Sequence, residues 1–383
     1  MSKKKKKGLK VALIIIISVL AVLALLYGGV RLALEHYLNK IPRTNTETYE
    51  TIPPESEDFE TDDIGDYTEP VDPSTSDPYS ETIEPPVSTD PTDPPDPPDS
   101  TNPSSSSETN PPPVTTIPLP RVDPIDDGDL INIMLVGEDR RPDQTTRQRS
   151  DTMILCSIDT KTGKVSLISF LRDTYVKIPG GYSNNRLNAA YRFGGFPLMF
   201  RTFKQNFGVT VDYGIAVDFS GFKAIIDAIG GVDVDVSAAE AKRFHDYFEG
   251  NYWGWLPVEG VNHMDGKQAL WYARERHLDG DRYRAERQRK IVIAAFEKIK
   301  TSGLSEIVSL FETLAPYLTT DMTNNQIISL ITSLAPKMTS MQISSYRVPT
   351  DNTGYHAMVR GMAVTVPDLP AIRKLLQQYL PLN

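Results

Sequence analysis

Ile131-Asn-Ile-Met-Leu-Val-Gly-Glu-Asp-Arg-Arg141, followed by Arg149-Ser-Asp-Thr-Met-Ile-Leu-Cys-Ser-Ile-Asp159 and Lys164-Val-Ser-Leu-Ile-Ser-Phe-Leu-Arg-Asp173, decides the reading of this chain. The apolar runs Ile131 to Val136 and Met153 to Ile158 read as two strands joined by one loop. Asp139 then lies at the end of the first strand and Asp151 at the start of the second. Asp159-Thr-Lys-Thr-Gly163 is a tight turn, from which Lys164 to Phe170 runs back as a third strand. Up, down and up again over short connections brings Asp139-Arg140-Arg141, Arg149-Ser150-Asp151 and Arg172-Asp173 to one rim of a sheet. Two carboxylates and several guanidiniums on one rim point to a metal-assisted site for an oxyanion.

Upstream of that sheet the composition changes twice. Lys3 to Lys7 and Lys10 form a basic tail, residues 1–10, before an apolar span from Val11 to Val30. Twenty such residues make ~30 Å of helix, enough to cross a bilayer. Residues 11–34 therefore read as a transmembrane anchor. The basic side stays in the cytoplasm, which predicts a single-pass type II protein with everything after Arg31 on the extracellular face of the cell membrane. Residues 35–128 are rich in Pro, Ser, Thr, Asp and Glu, and no Lys or Arg occurs between Arg43 and Arg121. A segment of that kind cannot bury enough apolar surface to offset its ordering entropy, so it reads as a disordered spacer holding the folded part away from the membrane.

The formal net charge of −10 belongs largely to that linker, so the folded portion from residue 129 to 383 is close to charge balance. Local clusters must then hold any anionic ligand, and generic nucleic-acid binding is disfavoured. The single cysteine, Cys156, excludes an intrachain disulfide and a cysteine-rich zinc site. The five histidines show no ligand spacing, and no nucleophile elbow, P-loop or H-E-x-x-H stretch occurs. A pair of aspartates without thiol or imidazole favours a hard cation such as Mg²⁺.

Farther along, Phe196, Phe200, Phe203 and Phe207 recur at helical spacing, either as ordinary core or as the wall of a pocket for a long hydrocarbon chain. Tyr213 to Phe219 and Val232 to Val236 read as strands, and Phe222 to Ile229 as a helix. Arg274 and Arg276 end the next element, and Asp281 reads as the N-cap of a long helix to about Lys300. Arg282, Arg284 and Arg287 crowd the positive end of that helix dipole, a conflict that a bound anion would remove; a solvated basic turn is the plainer reading. Helical patterns near Leu304 to Leu318, Asn324 to Leu334 and Pro367 to Leu380, with strands near Ile343 to Val348 and Ala363 to Val366, complete the pattern. The fold class is α/β, with a mixed central sheet sandwiched by helices.

Leu135-Val-Gly-Glu-Asp-Arg-Arg141, Arg149-Ser-Asp-Thr-Met153, Arg172-Asp-Thr174, Leu187-Asn-Ala-Ala-Tyr191, Val217-Asp-Phe219, Gly230-Gly-Val-Asp233, Gly266-Lys-Gln-Ala-Leu270, Tyr272-Ala-Arg-Glu-Arg276 and Asp281 to Gln288 together resemble the LytR-CpsA-Psr family of cell-wall phosphotransferases. The resemblance covers nearly all of the chain after the linker. It implies transfer of an anionic glycopolymer, such as a teichoic acid, from a polyprenyl-pyrophosphate carrier onto a peptidoglycan hydroxyl. Carried over residue by residue, it implies Asp139 and Asp151 as the magnesium pair, and Arg149, Arg172, Arg274 and Arg276 as pyrophosphate ligands. Arg141, Asp281, Arg284 and Gln288 join the substrate-binding set, and Arg149, Arg172 and Asp151 are the implied catalytic residues. Leu171, Tyr283 and Arg186 stand where the family commonly has Pro, Gly and Lys.

Two other functions share these features. Water replacing the sugar acceptor would make a polyprenyl-pyrophosphate hydrolase. A non-catalytic binder or regulator of lipid-linked polymer would bind tightly without turnover and ignore magnesium.

Overall fold

The computed structural model describes residues 31–32, 35–43, 53, 119–120, 123–126, 128–140, 146–248, 255–276, 280–300, 310 and 314–382. The apolar span Val11 to Val30 and most of the proline-rich linker lie outside these residues. Among the described residues no helix is long and apolar enough to cross a membrane.

Three consecutive strands, β1 (Leu130–Glu138), β2 (Ser150–Asp159) and β3 (Lys164–Phe170), pair antiparallel in chain order. Asp159 makes the β2–β3 turn by accepting from the amides of Lys161 (2.8 Å) and Thr162 (3.2 Å). Short strands β4 (Tyr175–Val176) and β5 (Asn185–Arg186) then lead into helix α1 (Ala189–Phe207), which is kinked at Gly194 and Gly195. Strand β6 (Tyr213–Asp218) returns to pair parallel with β1.

An accessory layer follows: α2 (Phe219–Ala228), β7 (Val232–Val236), α3 (Ala238–Phe248), β8 (Gly260–Met264) and α4 (Gly266–Arg274). The long helix α5 (Asp281–Ile299) comes back over the sheet. The chain then adds β9 (Leu318–Thr320), α6 (Asn324–Leu334), β10 (Gln342–Val348), the hairpin β11 (Gly354–Val359) and β12 (Met362–Pro367), and α7 (Leu369–Tyr379). The central sheet is mixed, in the order β10-β3-β2-β1-β6-β9.

Both faces of this sheet are covered, which is why its strands read as near-continuous apolar runs. Met153, Leu155, Ile168 and Phe170 face α1 and α7 on one side. Ile154, Ile158, Val165 and Leu167 face α5 and α6 on the other. A separate cluster built from Val234, Phe244, Met264, Tyr272 and Ile291 ties the accessory layer to α5.

The sequence reading differs from the structure at several points. Leu318, expected to close a helix, begins β9 instead. Asp281 is the first residue of α5 and not its cap: Gly280, at φ 81°, takes that place with no side-chain hydrogen bond. Within the stretch assigned to the spacer, residues 35–43 pack on the domain, with Leu38 fully buried and Ile41 only 5% exposed. Two aliphatic side chains at helical spacing in a polar context were enough to find a partner surface.

The aromatic stripe is core and not a lipid wall. Phe196, Phe203 and Phe207 are fully buried with α1 against the sheet, and Phe200 packs beside them. Phe170 of β3 meets Phe203 and Phe207 at ring-centroid distances of 4.7 and 4.9 Å. The physical reason is the side of the sheet that α1 covers, which is opposite to the one that carries the cavity described next.

Candidate active site

A cavity of about 550 Å³ opens between the sheet and the accessory layer. Its floor is the face of β1, β2 and β6 carrying Leu135, Ile154, Ile215 and Val217, and its walls are Phe222, Ile225, Phe248, Trp271, Ile291 and Ala295. At the strand ends the lining becomes ionic, with Asp139, Asp151, Asp218 and Glu275 beside Arg172, Arg274, Arg276 and Arg284, and Gln288 adds a neutral amide. The site is therefore an apolar chamber with a charged mouth.

A break in strand register aims one of these groups. Gly137 pairs with Thr152 and Glu138 pairs with Ser150, which leaves Asp151 as the extra residue of a β-bulge. Strict alternation would point Asp151 to the face opposite Thr152 and Ile154, whereas all three line the cavity. Gly137 is required at the same place, because a Cβ there would stand 2.9 Å from the Cβ of Thr152.

Arg172 sits between two carboxylates. Its Nη1 donates to Asp151 Oδ1 at 2.6 Å and its Nε to Asp281 Oδ2 at 2.9 Å. Arg284, almost wholly buried, donates from Nη2 to the same Asp281 oxygen at 3.1 Å. Burial alone would raise the Asp151 and Asp281 carboxyls, but for Asp151 the charges of Arg172, Arg284 and Arg276 outweigh it, and for Asp281 those of Arg284 and Arg172 do. Both stay below the usual carboxylate range. Burial and the neighbouring charges of Arg172 and Arg276 instead push Arg284 down. Its buried Nε has no hydrogen-bond partner among the described residues. A buried guanidinium donor thus waits beside the charges of Arg172 and Arg276, a setting that favours an anion.

The other expected residues are placed as follows. Asp139 lines the cavity, and its amide donates to the Arg149 carbonyl at 3.2 Å. The ends of its loop are pinned by Glu138, which accepts from the Gln148 amide at 2.7 Å, and by Arg140, which donates to Asp218 at 2.9 Å. Arg149 is close to Asp139 through that backbone contact but is not itself part of the cavity lining. Arg141 lies outside the described residues. Arg274 stacks over Phe219, 4.4 Å from the ring centre, at the junction of ionic mouth and apolar wall. Gln288 donates to the Ala273 carbonyl at 3.3 Å. Asp173 turns away, accepting from Thr365 at 2.9 Å.

Three neighbours of the site lay outside the residue set assigned from the sequence, although Arg287 was noted in the basic first turns of the long helix and Asp218 within the Val217-Asp-Phe219 stretch. Asp218 holds Arg140 and also caps α2 by accepting from the Gly221 amide at 2.8 Å. Arg287, only 1% exposed, donates to the carbonyl of Glu275, the residue between Arg274 and Arg276. Glu240 lies 3.6 Å from Arg287 and accepts from the Tyr272 hydroxyl at 2.9 Å. The helical stripe through Arg284, Arg287 and Ile291 was the available signal for Arg287. Nothing local marked Glu240.

No group of three or more His, Cys, Asp or Glu side chains that could hold a metal ion occurs among the described residues. The ionic mouth over an apolar chamber defines a site for an amphiphilic anion, on a mixed sheet covered by helices. The chain belongs to the LytR_cpsA_psr family, whose model matches residues 99–379. It is 32% identical over 240 residues to the protein of Oceanobacillus iheyensis named "Polyisoprenyl-teichoic acid--peptidoglycan teichoic acid transferase TagU", covering 60% of this chain and 71% of that one. It is also 32% identical over 203 residues to the Bacillus cereus protein of the same name, covering 52% of this chain and 63% of that relative, so the match spans less than two thirds of its length. A solved structure of TagT bound to LIIa-WTA superposes with a TM-score of 0.53 at 25% identity, over 68% of this chain and 94% of that one.

Proposed function

We propose that the protein is a glycopolymer transferase that takes an anionic polymer, of the teichoic acid kind, from a polyprenyl-pyrophosphate carrier and joins it to a peptidoglycan hydroxyl outside the cell. The observation that carries this reading is the arrangement of Arg172, Arg274, Arg276 and Arg284 around Asp151 and Asp281 at the mouth of an apolar chamber. A pyrophosphate bearing a long hydrocarbon matches that division: charge at the mouth, chain within. The names of the relatives and the TagT complex support the same substrate class. The N-terminal apolar span supports a single-pass type II membrane anchor.

In the transfer step, the acceptor's hydroxyl oxygen attacks the phosphorus that carries the glycan. A new phosphodiester forms, the bridging P–O bond to the carrier phosphate breaks with its electron pair, and the hydroxyl proton is released. Polyprenyl phosphate leaves. Phosphoryl transfer asks for positioning and charge neutralisation more than covalent chemistry, and the guanidiniums supply both. Arg172 is already fixed by two carboxylates, so it need not reorganise as charge develops. Arg149, if its side chain swings to the mouth when substrate binds, adds a further donor.

Asp139 and Asp151 suit a hard divalent cation such as Mg²⁺, because both line the mouth, all their donors are oxygen, and no imidazole or thiol shares the lining. Two carboxylates are too few to complete such a shell, and phosphate oxygens of the carrier would supply the rest. When bound, the ion would neutralise charge on the pyrophosphate.

The test is transfer by the full chain from a lipid-linked polymer to purified peptidoglycan. Arg172→Ala and Arg172→Lys should each lower kcat/KM by about 10² or more, since a point charge cannot bridge both carboxylates. Undiminished transfer by Arg172→Ala would refute the assignment.

A further inference from the structure

The segment just after the apolar span is held on one edge of the domain. Leu38 and Ile41 share a buried cluster with Ala315, Met322, Ile327 and Ile328. The Thr320 amide donates to the Pro42 carbonyl at 3.2 Å, and Arg43 forms a parallel bridge to Thr320, so the chain adds a backbone partner beyond β9. Side chains reinforce it. Asn324 donates to Asn39 at 2.6 Å, the Arg43 guanidinium reaches Asn324 and the Leu38 carbonyl, and Arg31 donates to Asn325 at 3.3 Å.

Leu38 follows Val30, the end of the apolar span, by only eight residue steps. That is at most about 27 Å of extended chain and ~12 Å at helical rise, and residues 31–32 and 35–38 are helical. Leu318 of β9 belongs to the docking cluster and also lines the cavity. The long stretch after Arg43 returns at Leu119, which packs against the α1 side of the core. Both of its ends are therefore on the same body.

We propose that residues 35–43 are a docking segment that fixes the β9 edge of the domain against the outer membrane surface, and that the proline-rich stretch from residue 44 to 118 does not set the domain's reach. The inference rests on the membrane-anchor part of the function proposed above and not on the transfer chemistry. The cavity floor runs from β2 across β1 and β6 to Leu318 of β9, so with the β9 edge at the membrane a hydrocarbon chain passes from bilayer to chamber with little exposure to water. The opposite edge, β10, lies five strand spacings away, about 24 Å.

The experiment places a fluorophore on Tyr317→Cys, beside β9, or on Ser344→Cys, on β10, in the full chain reconstituted in vesicles whose lipid headgroups carry an energy acceptor. Both substitutions are made in a Cys156→Ala background, so that only the introduced thiol is labelled. Transfer from position 317 should exceed that from 344 several-fold. Leu38→Asp with Ile41→Asp should abolish the difference, and Arg43→Ala with Asn324→Ala, which alters no core residue, should shrink it. Deleting residues 54–110 should leave both efficiencies unchanged. Equal transfer from the two positions in the unaltered chain, a difference untouched by Arg43→Ala with Asn324→Ala, or a rise at position 344 on deletion would overturn the proposal. Failure of the unaltered chain to float with the vesicles would remove the anchor and the proposal together, whereas loss of transferase activity alone would bear only on the chemistry.

Discussion

Arg172 Nε, just past the end of β3, donates to Asp281 Oδ2 at 2.9 Å and so joins the central sheet to the first turn of α5 across 109 residues of chain. The same guanidinium holds Asp151 on its other side. Three elements are therefore fixed at one point before any substrate arrives, and that preorganisation is what transition-state stabilisation by charge requires.

Asp281→Asn should weaken both folding and catalysis. Two guanidiniums, Arg172 and Arg284, lose their shared anionic partner, at a cost of about 3 kcal/mol in stability. Transfer should fall about 10-fold or more as Arg172 and Arg284 lose their shared anchor. Urea unfolding and kcat/KM measured on the same preparation check the two together.

The acid limb of stability follows from the depressed carboxyls. Asp151 and Asp281 have folded pKa values below their unfolded ones. Their contribution is thus complete above the unfolded value, roughly pH 4, and is lost as pH falls through the folded values. Urea midpoints of the unaltered domain should drop below about pH 4. In Asp281→Asn the midpoint should start lower at neutral pH and change less on acidification.

Hydrocarbon binding should respond to the chamber and not to the aromatic stripe of α1. Phe222→Ala and Trp271→Ala each remove apolar wall, about 1–3 kcal/mol of tail contact, and should raise KM roughly 5- to 150-fold for a long polyprenyl carrier but little for a short-chain analogue. Phe203→Ala should instead cost about 3–5 kcal/mol of stability. A milder Phe203→Leu should leave KM for the long carrier unchanged.

Arg287 should act through its neighbours. Its bond to the Glu275 carbonyl lies between Arg274 and Arg276, so Arg287→Met should let both guanidiniums drift. The expected result is a drop of about 10-fold in kcat/KM, carried mainly by KM for the pyrophosphate carrier, from a loss on the order of 1–3 kcal/mol at the unpaired carbonyl. Titrating carrier against each variant separates the KM and kcat parts.

Magnesium should be needed for transfer. A chelator should stop the reaction and added Mg²⁺ restore it, and Asp139→Asn should raise the Mg²⁺ concentration for half-maximal rate at least 10-fold with folding unchanged. Urea unfolding of Asp139→Asn beside the Mg²⁺ titration separates loss of the ion from loss of the fold.

Much of this was legible in the residues. Continuous apolar runs located β1, β2 and β3, and short turns fixed their antiparallel order, so the rim that gathers Asp139, Asp151 and Arg172 followed from chain direction. Asn324 to Leu334 was bounded as observed from its helical apolar pattern, and the structure adds the Thr323 cap that starts it. The strands β4, β5, β8 and β11 were not marked. They are short or exposed, and pairing with distant partners defines them.

The sequence by itself determined the class of the sheet, the direction of its first three strands and the residue types at its rim, because these depend on local periodicity and short connections. Only the tertiary structure decided which face holds the chamber and where Asp151 points. A stripe of phenylalanines fits either face of a sheet buried on both sides, and helix packing chose the one without a cavity. The bulge that turns Asp151 into the cavity is a register event between two strands, set by the close fit of Gly137 against Thr152, and no single strand's sequence contains it.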